Sequence, residues 1–191
     1  MKFKLDDIAE IKTGYTFRNG LKKYPNGKLG VIQMKDLKEF DIDLQNIDYI
    51  TDDSIGSNHC LSKNDIIIKT RGEQNTSYIL EEEINAVASA PLLVLKVKTK
   101  TVIPGYLYWY LNQKPAKEHY NLIAKGTLQK IISINNLKDM EIEVPPLKIQ
   151  QLIVDIDTLS RREKELTEEL YNKKEAVITA KLFNIITGEK R

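Results

Sequence analysis

One stretch of the chain joins a strand-like pattern to a long helical pattern through two adjacent prolines. Met140 to Val144 alternate apolar and charged residues, which is typical of a half-buried β-strand. Pro145 cannot donate to a β-ladder and disfavours a helical residue before it, whereas Pro146 is compatible with the first turn of a helix. The sequence therefore predicts that a globular domain ends near Val144 and that a helix begins directly after it.

The residues after the prolines carry apolar side chains at alternating steps of three and four, the pattern of a coiled-coil seam. Two charged residues fill the two gaps in the series. A helix from Pro146 to about Ile186 would be about 60 Å long. Because the globular domain ends where this helix begins, the domain cannot cover one face of the helix. We therefore predict that a second helix covers these dimerisation residues: Ile149, Leu152, Ile156, Leu159, Glu163, Leu166, Leu170, Lys173, Val177 and Ala180.

The preceding residues mix short strand patterns with a few short helical ones. Asp65 to Lys69 and Ser77 to Leu80 predict a hairpin with a polar tip, Pro91 divides a strand pattern, and Pro104 is placed to open a helix. The predicted fold class is α+β. A mixed-sheet domain spans residues 1–144, and one long C-terminal coiled-coil helix spans residues 145–191.

Charge is unevenly distributed, although the net charge is only +2. Between Lys2 and Lys38 there are nine basic and four acidic residues, whereas Glu39 to Asp53 holds six acidic residues and no basic one. A domain polarised in this way can turn a positive face toward phosphate. The alternative is that the two stretches neutralise each other across neighbouring strands.

Three predicted loops combine the residue types that contact DNA. Base edges are read by Arg, Lys, Asn and Gln, and phosphates are contacted by Lys, Arg and small hydroxyl residues. The alternative for any single residue is an ordinary solvated loop. The first loop contributes Arg18, Asn19, Lys22 and Lys23; the second contributes Lys69, Arg71, Gln74, Asn75 and Thr76; the third contributes Lys125, Thr127, Gln129 and Lys130.

Other chemistry finds little support in the sequence. No phosphate-binding G-x-x-x-x-G-K-[ST] motif occurs, the histidines and the single Cys60 do not form a zinc-like ligand pattern, and no cofactor or metal is predicted. The aromatic group at residues 106–110 favours a core helix over a platform for stacking bases. No apolar run is long enough to span a bilayer, which favours a cytoplasmic protein.

Several motifs together resemble those of a known family. Val144-Pro145-Pro146-Leu147 followed by Gln150-Gln151 is similar to the junction between a target-recognition domain and its conserved helix in specificity subunits of type I restriction-modification systems. The stretches from Leu5 to Gly14, from Leu61 to Gly72, and from Lys125 to Leu137 resemble that family's domain in its usual order. Family members usually carry two recognition domains and two helices, so the resemblance implies a half-length subunit.

The resemblance implies a non-catalytic subunit that recognises double-stranded DNA. It also implies that a second copy of the chain supplies the antiparallel partner helix, that the dimer reads a bipartite palindromic site, and that a partner methyltransferase subunit performs the modification. A restriction/translocase subunit is a further partner that the sequence leaves open. The alternatives are a coiled-coil adaptor whose head binds protein and, with less support, a nuclease.

Overall fold

The computed structural model describes residues 1–18, 20–38, 41–51, 55–71, 76–124 and 132–188, and the side chains of residues 123 and 124 are not considered. Two compact units are present, Met1–Leu152 and Ile153–Arg191. The first unit contains all the sheets. This mixed α+β architecture with a long C-terminal helix confirms the predicted fold class.

A four-stranded antiparallel sheet forms the centre of the first unit, in the order β2-β8-β5-β6. Its strands are β2 (Ala9–Thr13), β5 (Ile66–Ile68), β6 (Ser77–Ile79) and β8 (Leu93–Val97). The isoleucines of β5 are completely buried, as expected for an inner strand of a sheet with both faces covered. The predicted hairpin is confirmed, because β5 and β6 pair in antiparallel register.

A second sheet has the order β4-β3-β7, with β3 at Leu29–Ile32, β4 at Asp48–Ile50 and β7 at Ala86–Ala88. β3 pairs with β4 in antiparallel and with β7 in parallel orientation. The predicted division of the strand pattern at Pro91 is confirmed, because β7 lies in this sheet and β8 in the four-stranded one.

A two-stranded sheet and short helices complete the first unit. β1 (Lys2–Lys4) pairs with β9 (Glu141–Glu143), and α1 (Leu5–Ile8) connects β1 to β2. α2 (Pro104–Leu111) starts at the predicted proline, and α3 (Lys114–Ala124) and α4 (Ile134–Lys138) follow it.

The long helix α5 spans Leu147–Thr187 and contains 41 residues. It begins one residue after Pro146, whose carbonyl oxygen accepts hydrogen bonds from the backbone N–H groups of Ile149 at 2.8 Å and Gln150 at 3.1 Å. Pro146 therefore directly precedes the helix and provides an acceptor for its first turn.

Gln150, in the first turn of α5, is fully buried and fixes the start of the helix to the end of the β8–α2 connection. Its Nε2 atom donates to the carbonyl oxygens of Thr101 at 2.9 Å and Pro145 at 2.7 Å, and its Oε1 atom accepts from the N–H of Ile103 at 2.8 Å. This one side chain thus links three backbone groups.

Candidate nucleic-acid interface

The termini of all four strands lie side by side along one side of the four-stranded sheet, and we call this row of strand termini the edge. Thr13 at the end of β2 is opposite Leu93, Leu93 is opposite Ile68, and Ile68 is opposite Ser77. The row is about 15 Å wide, because neighbouring strands are about 4.8 Å apart. The first predicted loop follows Thr13 and the second follows Ile68, so both leave the sheet from the same edge.

The connection between β7 and β8 lies between these two loops. Tyr15 donates its backbone N–H to the carbonyl oxygen of Ala88 at 2.7 Å and accepts the N–H of Ala90 at 2.9 Å. On the other side, the buried hydroxyl of Thr70 donates to the carbonyl oxygen of Pro91 at 2.8 Å. The connection therefore holds the bases of both loops in fixed positions.

Gly14 is required where the first loop leaves β2. A Cβ atom at this position would lie 2.6 Å from the backbone carbon of Ser89, closer than non-bonded atoms can approach. The absent side chain thus allows the loop backbone to approach the β7–β8 connection.

The third predicted loop ends beside the second. Its candidate residues lie outside the described residues, but Ile132, directly after it, donates its N–H to the carbonyl oxygen of Thr70 at 3.2 Å. Thr70 lies between the candidates Lys69 and Arg71. The fold therefore brings the base of the second loop and the end of the third into direct contact.

The candidate DNA-binding residues that the structure describes are all exposed or partly buried. Lys69 and Thr76 are partly buried at the base of the hairpin, where the N–H of Lys69 donates to the carbonyl oxygen of Thr76 at 3.1 Å. The exposed candidates are Arg18, Lys22, Lys23 and Arg71. The remaining candidates, Asn19, Gln74, Asn75, Lys125, Thr127, Gln129 and Lys130, lie outside the described residues.

Part of the basic N-terminal stretch is neutralised by the acidic stretch that follows it. Lys23 and Lys35 both pair with Asp48, with Nζ–Oδ2 distances of 3.1 and 2.6 Å, and Lys38 pairs with Asp43 at 3.6 Å. For these three lysines the neutralisation alternative is correct. Within the described ranges, no carboxylate pairs with Arg18, Lys22 or Lys28, and all three side chains are exposed. Arg18 and Lys22 therefore keep positive charge in the first loop, whereas Lys28 lies at the end of β3 opposite to Ile32, where its N–H donates to the carbonyl oxygen of Ile50 at 3.1 Å.

The pairing of Asp48 was not predicted from the sequence. Its Oδ2 atom also accepts from Nε2 of Gln33 at 2.7 Å, so three donors converge on one oxygen. These contacts, the hydrogen bond from Lys35 above all, lower the pKa of Asp48 to about 2. The only sequence signal was the opposite charge of the two stretches, which does not indicate which residues meet.

The aromatic helix α2 belongs to the core. Tyr106, Tyr108 and Tyr110 are at most 8% exposed. The hydroxyl of Tyr106 donates to the carbonyl oxygen of Glu143, and burial raises the pKa of this phenol to about 12. The preference for a core helix over a stacking platform is therefore confirmed for these three tyrosines.

The large apolar residues of the predicted seam on α5 are exposed in the single chain. Their exposed fractions range from 46% at Ile149 to 71% at Leu159. Lys173, at one of the two charged seam positions, pairs with Glu169 of the same helix at 2.6 Å. The helix also exposes apolar residues that the seam pattern did not include: Tyr171, Ile178, Leu182, Phe183, Ile185 and Ile186.

Neither a metal centre nor a membrane segment is found in the part of the chain that the structure describes. Its His, Cys, Asp and Glu side chains form no group of three or more with the arrangement of a metal site. Its helices include none with the length and apolar character that a membrane crossing requires.

Comparisons with known proteins agree on one family. The family model described as "Type I restriction modification DNA specificity domain" matches residues 1–176. No curated protein sequence matches the chain.

Three solved structures share the fold. A chain from a structure described as "Structural basis underlying complex assembly and conformational transition of the type I R-M system" aligns with a TM-score of 0.71 and 14% identity, covering 94% of this chain and 43% of that one. The HsdS subunit from Thermoanaerobacter tengcongensis aligns at 0.62 and 16% identity, covering 88% and 39%. The type I restriction-modification S subunit from M. genitalium aligns at 0.60 and 19% identity, covering 97% and 46%. The chain therefore spans less than half the length of each of these proteins.

Proposed function

The chain belongs to the family of type I restriction-modification DNA specificity domains, and we propose that it recognises a DNA sequence for a methyltransferase subunit that carries out the modification. The specificity family points to DNA recognition without catalysis by the chain itself. The observation that supports the proposal is that the described residues flanking the predicted loops, Thr13, Ile68 and Ile132, meet at one edge of the four-stranded sheet.

The edge has the composition that DNA contact requires. Exposed Arg18, Lys22 and Arg71 supply cations for phosphate oxygens or guanine edges, and Lys69 and Thr76 flank the hairpin from which the second loop leaves. The third loop contributes further candidates from the sequence, and Ile132, which follows it, contacts Thr70 between Lys69 and Arg71. Loops fixed at their bases by backbone hydrogen bonds can hold such side chains in a defined pattern.

We further propose that two copies of the chain pair through the exposed seam of α5. Burial of large apolar side chains that are about half exposed favours association. In an antiparallel pair with a two-fold axis near residue 168, Leu166 faces Leu170 and Leu159 faces Val177 of the other copy. Glu163 then faces Lys173, so that both charged positions meet.

The symmetry of such a dimer determines the form of its target. Each copy reads one half-site, and a two-fold axis relates the two half-sites, as in other two-fold DNA-binding proteins. The target is therefore an interrupted palindrome, with uncontacted base pairs between its halves. A partner methyltransferase, and a restriction/translocase subunit where one is present, would act on the site that this dimer selects.

The experiment that tests DNA recognition is a titration of the purified chain with duplex DNA at several salt concentrations. Phosphate contacts by six candidate cations would lower the association constant about 10³-fold between about 50 and about 200 mM salt. These cations are Arg18, Lys22, Lys69, Arg71, Lys125 and Lys130. Absence of DNA binding at low salt, or an affinity that does not change with salt, would favour the adaptor alternative.

A further inference from the structure

Two lysines and a glutamine converge on a single carboxylate beside the candidate DNA edge. Asp48 Oδ2 is 2.6 Å from Nζ of Lys35, 2.7 Å from Nε2 of Gln33 and 3.1 Å from Nζ of Lys23. Lys23 belongs to the first loop, and Gln33 and Lys35 directly follow β3. The donors thus come from two separate segments of the chain and are gathered by one acceptor.

The carboxylate lies beneath its lysines. The side chain of Asp48 is only 15% exposed, whereas those of Lys23 and Lys35 are 59% and 50% exposed. An ammonium group has three N–H donors, and a contact with one carboxylate oxygen leaves others free to face solvent. A phosphate oxygen can therefore reach both ammonium groups from outside without displacing Asp48 from its position.

The cluster adjoins the edge from which the loops leave. The N–H of Ser89 in the β7–β8 connection donates to the carbonyl oxygen of Ile32 at 2.8 Å, which places the end of β3 beside that connection. The N–H of Tyr24 donates to the carbonyl oxygen of Tyr49 at 2.8 Å, which holds the first loop against β4. The cluster therefore lies beside the β7–β8 connection and the first loop.

The carboxylates of the cluster balance its lysines in the free protein. Asp36 lies 4.0 Å from Lys35, is buried, and accepts the N–H of Gln33 through its Oδ2 atom at 2.8 Å. Two lysines thus face two carboxylates, so the cluster attracts DNA weakly at long range. Neutralising the better exposed carboxylate, Asp48, would leave one excess positive charge at this position.

We propose that Lys23, Lys35 and Gln33 form a binding site for a backbone phosphate of DNA, and that Asp48 both positions these donors and competes with the phosphate for them. This proposal rests on the proposed function of the same edge. The half-exposed ammonium groups of Lys23 and Lys35 can donate to a phosphate while they still contact Asp48, and contact with a DNA phosphate releases condensed counterions. Through its competition for these donors, Asp48 limits the affinity for DNA of any sequence.

The test compares wild-type protein with Asp48→Asn in binding to a mixed-sequence DNA duplex. The asparagine keeps the size of the side chain and an acceptor oxygen but removes the charge that competes with phosphate. The variant is expected to bind about three- to tenfold more tightly at low salt, with a log–log salt slope steeper by about 0.9, the value for one additional phosphate contact.

Asp139→Asn is the matched control. Asp139 pairs with Lys4 at 2.9 Å, so this variant makes the same change in net charge and also releases a lysine. The pair lies next to β9, whose partner β1 precedes α1 and the start of β2, whereas the candidate edge is at the end of β2. Its affinity for the duplex is expected to stay within about twofold of wild type.

A second variant tests whether the gain depends on the lysines. Lys35→Gln, added to Asp48→Asn, should abolish the increase in affinity and return the salt slope to its wild-type value. Thermal unfolding of each protein in the same buffer shows whether it is folded at the assay temperature. If Asp48→Asn is unfolded there, Lys23→Gln with Lys35→Gln replaces it and is expected to weaken binding more than Lys4→Gln does.

The outcomes separate this inference from the proposed function. DNA binding by the wild type without a gain in Asp48→Asn would overturn the phosphate site and leave the proposed function standing. So would an equal gain in Asp139→Asn, or a gain that persists after Lys35→Gln. No binding of the duplex by any of the proteins at low salt would overturn both proposals.

Discussion

Replacement of Gln150 by alanine is expected to destabilise the first unit strongly, although the change affects one side chain in the first turn of a long helix. The side chain is completely buried and satisfies the N–H of Ile103 and the carbonyl oxygens of Thr101 and Pro145. Alanine cannot reach any of these groups. The start of α5 would then lose its side-chain link to the segment that precedes α2.

The magnitude follows from the surroundings of the three groups. Thr101 is exposed, so water can replace the lost donor at its carbonyl oxygen, whereas Ile103 and Pro145 are partly buried. A buried polar group left without a partner costs about 1–3 kcal/mol. Because Ile103 and Pro145 are only partly buried, each is assigned the lower part of this range, about 1–2 kcal/mol, so Gln150→Ala is expected to lose about 2–4 kcal/mol in the free energy of unfolding.

Urea denaturation followed by the fluorescence of Trp109 measures this loss. Trp109 is the single tryptophan of the chain and lies in α2, directly after the segment that Gln150 holds. Lys148→Ala is the control, because Lys148 is exposed in the same helical turn, and it should change the free energy by less than about 0.5 kcal/mol. Equal effects of the two substitutions would refute the structural role assigned to Gln150.

Four further outcomes are expected. Arg71→Ala should weaken binding to cognate DNA by more than twofold in a titration, because it removes an exposed cation at the base of the second loop. The pKa of Asp48 is lowered to about 2 in the folded protein, so ionised Asp48 contributes about 1–2 kcal/mol to the free energy of unfolding above pH 4. This contribution is lost as the pH falls from about 4 to 2, and acid unfolding of the wild type compared with Asp48→Asn measures the loss. Glu163→Lys should weaken the dimer in sedimentation equilibrium and Lys173→Glu should restore it in the double variant; a double variant that stays monomeric would refute the register. One heptad inserted after Leu170 should lengthen the helix by about 10 Å and the uncontacted spacer of the target by about two to four base pairs, with unchanged half-sites.

Elements specified by neighbouring residues were predictable from the sequence. The strand, the two prolines and the helix that follows them occur as predicted because proline acts on its immediate neighbours. The β5–β6 hairpin was predictable for a similar reason, since its two apolar runs are separated by a short polar loop.

The arrangement of those loops depends on pairings between distant parts of the chain. Thr13 lies opposite Leu93, and Ile132 contacts Thr70, and no periodic pattern in the sequence encodes either pairing. The same holds for Asp48, whose donors come from two other segments. The sequence indicated which residue types are suited to DNA contact, but the common edge from which the first and second loops leave follows from sheet topology.

The apolar residues exposed on α5 differ in part from those that the heptad pattern predicted. The seam residues were predictable because they follow the heptad, and the structure leaves their large apolar side chains exposed. Ile178, Leu182 and Phe183 do not occupy the seam positions of the heptad, and the sequence did not predict that they are exposed. A heptad pattern identifies one stripe of a helix and gives no information about apolar residues beside it.

The methylated sites in the genome of the source organism show whether this chain directs methylation to a specific DNA sequence. Sequencing that detects methylated bases would be compared between cells that contain this chain and cells from which it is deleted. Methylation is expected to disappear at one motif, and this motif is expected to be an interrupted palindrome with identical half-sites. An unchanged methylation pattern would contradict a role in sequence recognition, and loss at an asymmetric motif would contradict recognition by two identical copies.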